Sequence, residues 1–214
     1  YAIIEKDEES NRYLMKKSAD NRKDQTYFLH TLNQYQLAHT LFPLGGYKKD
    51  KVRQIAEEIG LNVHDKPDSE EICFIPDNDH GKFIEKRVPD KVVAGNFIDN
   101  EGNILGKHKG IVYYTIGQRK GLGVATGQRM FVQRIDAEKN DIVLGMEQGL
   151  YHRKLYAEEI NYIPFDFLDG EMQVTAKIRH STKESKATIK PYNNGKGILV
   201  EFEEPQRAIT KSQA

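Results

Sequence analysis

The apolar residues of this chain change their spacing at Pro76, and that change limits the possible folds more than any other feature. Before it, Val52, Ile55, Ala56 and Ile59 recur at the three- and four-residue steps of a single helical face. After it, Met172, Val174, Ala176 and Ile178 alternate, and so do Ile198, Val200 and Phe202 beyond the turn residues Asn193, Asn194 and Gly195. Alternation sets one face of a strand against a core and the other in water. A helical first part followed by short strands predicts an α+β chain, with a helical end of an α/β layer placed before the strands.

The first helical stretch starts near Asp24, with Phe28, Leu32 and Tyr35 on one face. Pro43-Leu44-Gly45-Gly46 interrupts it. A second helix is predicted over 52–59, capped by Asp50 and stopped by Gly60 in a left-handed conformation. Leu61 to Val63 reads as a short strand. Beyond Pro76, Asn96 to Ile98 and Ile104-Leu105 flank a turn, as do Met130 to Ile135 and Ile142 to Leu144, so two hairpins are predicted. Short strands at this spacing suggest small antiparallel barrels, with Leu150 to Asp169 as the join between them. The expected domains are 1–75, 76–150 and 151–214.

Lys plus Arg and Asp plus Glu are both 32, so no whole-molecule field draws the chain to polyanions. The distribution is uneven. From Gly102 to Ile135 there is no acidic residue, while Lys107, Lys109, Arg119, Lys120, Arg129 and Arg134 are present. No apolar run is long enough for a membrane span, and the start lacks the pattern of a signal peptide. Cys73 is the single cysteine, which excludes an intrachain disulfide and a cysteine zinc cage and points to a reducing, cytoplasmic setting. A first residue other than Met, and a last stretch with no clear terminal element, predict a fragment.

Cys73 has three open roles: buried filler among Ile72, Phe74 and Ile75, a reactive sulfur, or half of a pair whose partner is not among these residues. The histidines His30, His39, His64, His80, His108, His152 and His180 are scattered without ligand spacing, so no metal site is expected. There is no Walker loop. Gly121-Leu122-Gly123-Val124-Ala125-Thr126-Gly127 has the wrong spacing for a dinucleotide fingerprint. The neighbouring Tyr113, Tyr114, Gln118, Arg119 and Lys120 fit an RNA or substrate loop: cations for phosphate, rings for bases, glycine for close approach. A plain surface loop fits them equally.

Several motifs in one order resemble bacterial tRNA-specific 2-thiouridylases of the MnmA/TrmU type. They are Lys23-Asp24-Gln25-Thr26-Tyr27-Phe28-Leu29, Leu41-Phe42-Pro43-Leu44-Gly45, Lys51-Val52-Arg53 with Ile55-Ala56, and Lys66-Pro67-Asp68-Ser69 with Ile72-Cys73-Phe74-Ile75. Gly106-Lys107-His108-Lys109-Gly110, Tyr114 to Gly123, and Pro205-Gln206-Arg207-Ala208-Ile209-Thr210 complete the series. The resemblance implies a PP-loop type nucleotide-binding domain whose rear part lies here, followed by two small barrels. It implies ATP-dependent transfer of sulfur from a persulfide on Cys73 to C2 of the wobble uridine of tRNA. A second cysteine, expected upstream of Tyr1, forms a transient disulfide.

By the same resemblance the tRNA contacts are Lys23, Asp24, Gln25, Arg179, His180 and Gln213. Thr210-Lys211-Ser212-Gln213 departs from the family's Thr-Pro-Gly-Gln. The implied partners are tRNA and a sulfur-relay protein or cysteine desulfurase, with no membrane and a monomeric state. ATP, with Mg in the parent protein, is implied to bind mostly outside these residues, so this chain alone is not expected to thiolate tRNA. Two other readings are a non-catalytic RNA-binding module with an inert Cys73, and an adaptor with no RNA partner. Only the adaptor predicts no salt-dependent tRNA affinity.

Overall fold

The chain starts with a hairpin, β1 (Ala2–Asp7) and β2 (Arg12–Lys17), ahead of the first predicted helix and within the part read as helical. Its turn is built by Asp7, whose carboxylate accepts from the amide of Ser10 at 3.1 Å, and by Asn11 at φ 53°. Asparagine tolerates that left-handed conformation. The alternation that marks a strand is weak here because both strands are only partly buried. This computed structural model describes residues 1–66, 72, 74, 75, 77, 79–211 and 213. Cys73 lies outside the described residues.

Two compact units result. One comprises Tyr1–Pro67, Lys154–Glu203 and Ser212–Ala214; the other comprises Asp68–Arg153 and Glu204–Lys211. In the first unit the predicted helix over 24–35 contracts to α1 (Gln34–Ala38), started by Asn33 in a capping box with Gln36. The residues before it form turns. The second predicted helix is present as α2 (Lys49–Glu58), ended by Gly60 at φ +74°. Its N-cap position is Lys48, and Asp50 lies in the first turn without capping. Leu61 to Val63 is turn, not strand.

The first unit also holds most of a four-stranded sheet in the order β7–β10–β9–β8. Its strands are β7 (Tyr151–Glu158), β8 (Met172–Ala176), β9 (Ser185–Tyr192) and β10 (Gly197–Arg207). The stretch read as a join thus contains a strand. Ala187, Val200 and Phe202 are buried on one face. Asn193, Asn194 and Gly195 all take positive φ in the β9–β10 turn, as the sequence predicts. Three polar side chains bind early and late residues into this unit. The Arg12 guanidinium donates to the carbonyls of Ile163 (3.0 Å) and Tyr162 (3.2 Å) and pairs with Asp166 (2.5 Å). The Gln34 amide donates to Tyr13 O (2.9 Å) and Ile163 O (3.0 Å), and Asn161 donates to the carbonyls of His30 (2.7 Å) and Leu32 (2.9 Å). Bonds from a charged donor contribute roughly 1.5–3 kcal/mol each.

In the second unit a helix appears that the strand pattern hid, α3 (His80–Arg87), capped by the Asp79 carboxylate on Lys82 N–H at 2.9 Å. Both predicted hairpins form: β3 (Gly95–Ile98) with β4 (Ile104–His108), and β5 (Phe131–Asp136) with β6 (Asp141–Gly145). They join through a parallel β3–β6 pair, giving the order β4–β3–β6–β5, so the sheet is mixed rather than antiparallel throughout. Pairing between hairpins depends on which faces bury together, and local spacing does not encode it. Phe97, Leu122, Val132, Ile142 and Leu144 form the core.

His108 is buried beside that core. The Gly110 amide donates to its Nδ1 at 3.1 Å, so Nε2 carries the proton and donates to Asn140 O at 3.0 Å. A Cβ on Gly95 would lie 2.0 Å from Asn140 O and 2.6 Å from His108 Nε2. We expect Gly95→Ala to destabilise the protein by about 2–3 kcal/mol through overpacking, read from urea unfolding. Gly46→Ala, where a Cβ meets nothing within 4 Å, should stay within about 0.5 kcal/mol of the parent chain.

Candidate nucleic-acid interface

The segment between β2 and α1 has no sheet ladder to satisfy its amides, and two aspartates do that work. Asp20 is buried. Its carboxylate accepts from Lys49 N–H (3.0 Å), the first residue of α2, and from Arg22 N–H (3.1 Å). A carboxylate at a helix N-terminus is favourable, and it takes the place of the missing Asp50 cap. The Lys49 amide, chiefly, holds the Asp20 carboxyl below the usual carboxylate range; burial opposes this, and the Arg22 amide and charge add to it.

Asp24 is the second anchor. One oxygen accepts from Ser18 N–H (2.8 Å); the other accepts from Thr26 N–H (3.1 Å) and from the Thr26 hydroxyl. Around these bonds Lys23 N–H donates to Asp20 O (3.0 Å) and Gln25 N–H donates to Tyr1 O (2.9 Å). Phe28 N–H then closes a turn onto Gln25 O (3.0 Å). Asp24 therefore shapes the loop that carries Lys23 and Gln25.

Residues 179–182 form a second turn. Thr182 N–H and its hydroxyl both donate to Arg179 O, at 3.1 and 2.9 Å, next to the buried Ile178. The His180 ring leaves this turn and meets the first loop: its centroid is 4.7 Å from Phe28, tilted by 35°, and 5.9 Å from Tyr27, edge-on. The Tyr27 hydroxyl donates to Gln213 Oε1 at 3.4 Å. Lys23, Asp24, Gln25, Arg179, His180 and Gln213 thus belong to neighbouring segments of one unit. Sequence reasoning placed Phe28 on one face of a helix with Leu32 and Tyr35 and gave Tyr27 no role. Phe28 is instead 58% exposed, because the predicted helix is a turn here.

Arg119 and Lys120 lie in the second unit and are exposed. Their loop is pinned from within. Leu122 enters the core, Gln118 bonds Thr115 N–H (3.0 Å) and Lys120 O (2.9 Å), and Arg207 donates to Gly117 O (3.3 Å). The two tyrosines proposed to stack on bases are already engaged. Tyr114 packs edge-on against Phe97 at 5.1 Å. Tyr113 donates to Glu85 at 2.5 Å, which raises its hydroxyl pKa to about 12, and Lys109 sits over its ring at 3.7 Å. What the loop offers outward is Arg119, Lys120 and, across an open groove lined by Thr126 and Gln128, Arg129.

Beside Cys73, Ile75 is buried while Ile72 and Phe74 are exposed. Among the described residues no three His, Cys, Asp or Glu side chains group as a metal ion would need, and no helix is long and apolar enough to cross a membrane.

Comparison with known proteins follows this geometry. Three family models match in succession: a tRNA methyl transferase HUP domain over residues 1–77, a tRNA methyl transferase PRC-barrel domain over 81–146, and an aminomethyltransferase beta-barrel domain over 152–214. The chain is a HUP-domain segment followed by a PRC-barrel and a beta-barrel domain. It is 60% identical over 214 residues to tRNA-specific 2-thiouridylase MnmA 2 of Clostridium botulinum (strain Okra / Type B1), covering 100% of this chain and 59% of that protein. To tRNA-specific 2-thiouridylase MnmA of Clostridium acetobutylicum it is 59% identical over 207 residues, 97% of this chain and 58% of the relative. The chain belongs to the tRNA-specific 2-thiouridylase family. It spans 58–59% of the length of these relatives.

Because Asp20 titrates below its unfolded range, its contribution to stability is complete above about pH 4 and is lost as pH falls through the folded value. Asp20→Asn should therefore give a shallower fall of Tm between about pH 5 and pH 3 than the parent chain. The limb should not become flat, since Asp7, Asp99 and Asp136 are lowered as well. Thermal melts across that range check this.

Proposed function

We propose that this chain is part of a tRNA sulfurtransferase that replaces the 2-oxygen of the wobble uridine with sulfur. The observation that carries the reading is the meeting of Lys23–Gln25, His180 and Gln213, segments far apart in sequence, through the rings of Tyr27 and Phe28. Lys23 and Arg179 supply charge for phosphate, and Gln25 and Gln213 supply amides for base or ribose edges. Asp24 contributes by holding the loop in shape. Arg119 and Lys120 form a separate cationic patch for the RNA backbone.

Cys73 is assigned the persulfide. Its outer sulfur, having lost its proton, bonds to C2 of the uridine as the C2–O bond breaks and the 2-oxygen leaves on the phosphate that activated it. The thiolate of a second cysteine then attacks the inner sulfur, so that the thiocarbonyl is released and a disulfide remains. ATP supplies the activation of the 2-oxygen by adenylation, with Mg in the whole protein. None of these 214 residues matches the family's ATP-binding loop, and no contact to ATP is assigned to them. A relay protein or cysteine desulfurase loads the sulfur. The protein works as a cytoplasmic monomer. Its two four-stranded sheets close as small barrels within domains 76–150 and 151–214, which follow the rear of the catalytic domain, 1–75, in sequence.

Cys73→Ser in the full-length protein should abolish 2-thiouridine formation while tRNA affinity stays unchanged, measured by mass spectrometry of digested tRNA and by filter binding. Thiolation at the parent rate would favour a non-catalytic RNA-binding module with an inert cysteine. Lys23→Ala and Arg179→Ala should each weaken tRNA binding by roughly 1–3 kcal/mol and flatten the dependence of log Kd on log salt. Affinity that ignores salt would contradict the RNA-contact assignment.

A further inference from the structure

The Phe28 ring is unusual in its setting. Burying a phenylalanine contributes roughly 1.5–3 kcal/mol, yet this one is left 58% exposed. It is not a loose side chain. One side lies against the His180 imidazole at 4.7 Å with a 35° tilt, close to an offset stack. Tyr27 braces both rings from the edge, at 5.7 Å and 90° to Phe28 and at 5.9 Å and 61° to His180. The Tyr27 hydroxyl is in turn tied to Gln213 at 3.4 Å. The backbone is held too, through Phe28 N–H on Gln25 O and through the Asp24 bonds to Ser18 and Thr26. A flat apolar face is thus fixed in orientation and partly open to solvent, one turn from Lys23 and Gln25 and in contact with the residue after Arg179.

We infer that Phe28, stacked on His180, is a platform for an unstacked nucleobase of the bound tRNA, with Tyr27 as its positioning residue. This rests on the tRNA-binding reading above and adds to it the site where a base, rather than a phosphate, is held. Single-stranded RNA recognition relies on such aromatic faces, because every base has a π-face and the surrounding cations hold only the backbone. A platform prepared before binding avoids the ordering cost that a mobile ring would incur. The exposed ring also separates two kinds of contact. Its removal takes away no charge, so it should lower affinity without changing the salt slope.

The chain contains no tryptophan, which makes the test direct. Phe28→Trp introduces the only indole, at an exposed position that tolerates the larger ring. With an unmodified tRNA transcript as the probe, its emission should be quenched at saturation, and affinity should stay within about threefold of the parent chain if the indole takes over the stack. Phe28→Leu should weaken binding between about 5- and 100-fold with an unaltered salt slope. Tyr27→Phe, which removes the hydroxyl tie to Gln213, should weaken binding less than Phe28→Leu, and Phe28→Trp should not restore what Tyr27→Phe loses. Unchanged emission on saturating tRNA, together with parent-like affinity of Phe28→Leu, overturns the platform while leaving the tRNA-binding reading intact. Failure of the unsubstituted chain to bind the transcript overturns both. Should the variants fold poorly by circular dichroism, the unsubstituted chain can be photo-crosslinked to tRNA carrying 5-bromouridine. Adducts within 26–29 or 179–182 support the platform, and adducts found only elsewhere overturn it.

Discussion

The carboxylates of Asp20 and Asp24 are the interaction on which the candidate site depends. Between β2 and α1 the chain has neither ladder nor long helix, so its inward-facing amides need other acceptors. Asp20 reaches Lys49 and Arg22, and Asp24 reaches Ser18 and Thr26. Each carboxylate closes two points of backbone that would otherwise drift. The result is a loop of fixed shape made from residues with little apolar content. Lys23, Gln25 and Phe28 inherit their directions from it. A charged group used in this way is satisfied chiefly by backbone amides.

The same unit shows how a neutral chain can gather cationic and aromatic side chains in one place. Whole-molecule charge is balanced, so attraction has to come from arrangement. Arg12, Gln34 and Asn161 donate to backbone carbonyls across the unit and hold the early segment against residues 161–166. That attachment lets the 179–182 turn meet the Lys23–Phe28 loop through the His180 ring. In the second unit the motif residue His108 is a hydrogen-bonding part packed with Gly95 and Asn140, and the motif residue Arg207 bonds Gly117 O and pairs with Glu147. From the acid-free stretch Arg119, Lys120 and Arg129 are exposed, and so are Lys107, Lys109 and Arg134, which contact Asn96, the Tyr113 ring and Asp136.

Much of the strand content was legible because hairpins are local. Asp99 and Asn193-Asn194-Gly195 are turn residues flanked by short runs with apolar residues, and both turns form where expected. The α2 helix was legible for the same reason, with Gly60 at its end. Three elements were not. The β1–β2 hairpin is half-buried on both faces, so it carries no clear alternation. Helix α3 is short and begins right after the stretch where the pattern turns to strands. Strand β7 is mostly exposed, and its pairing with β10 comes from the chain's far end.

Residue types and their order were enough to mark Lys23-Asp24-Gln25, Arg179-His180, Gln213 and Cys73 as the residues to watch, since motif identity is a property of the chain itself. Which of the described ones serve to hold the backbone was decided only on folding. Asp24 turned inward because nearby amides needed an acceptor, and Tyr113 and Tyr114 were drawn into packing by Glu85 and Phe97. Phe28 came to the surface because the segment folded as a turn and not as a helix, and it met His180 because two segments distant in sequence were hydrogen-bonded into one unit. Such a meeting has no local signature, for it depends on the sum of contacts across the unit and not on the spacing of any one run of residues.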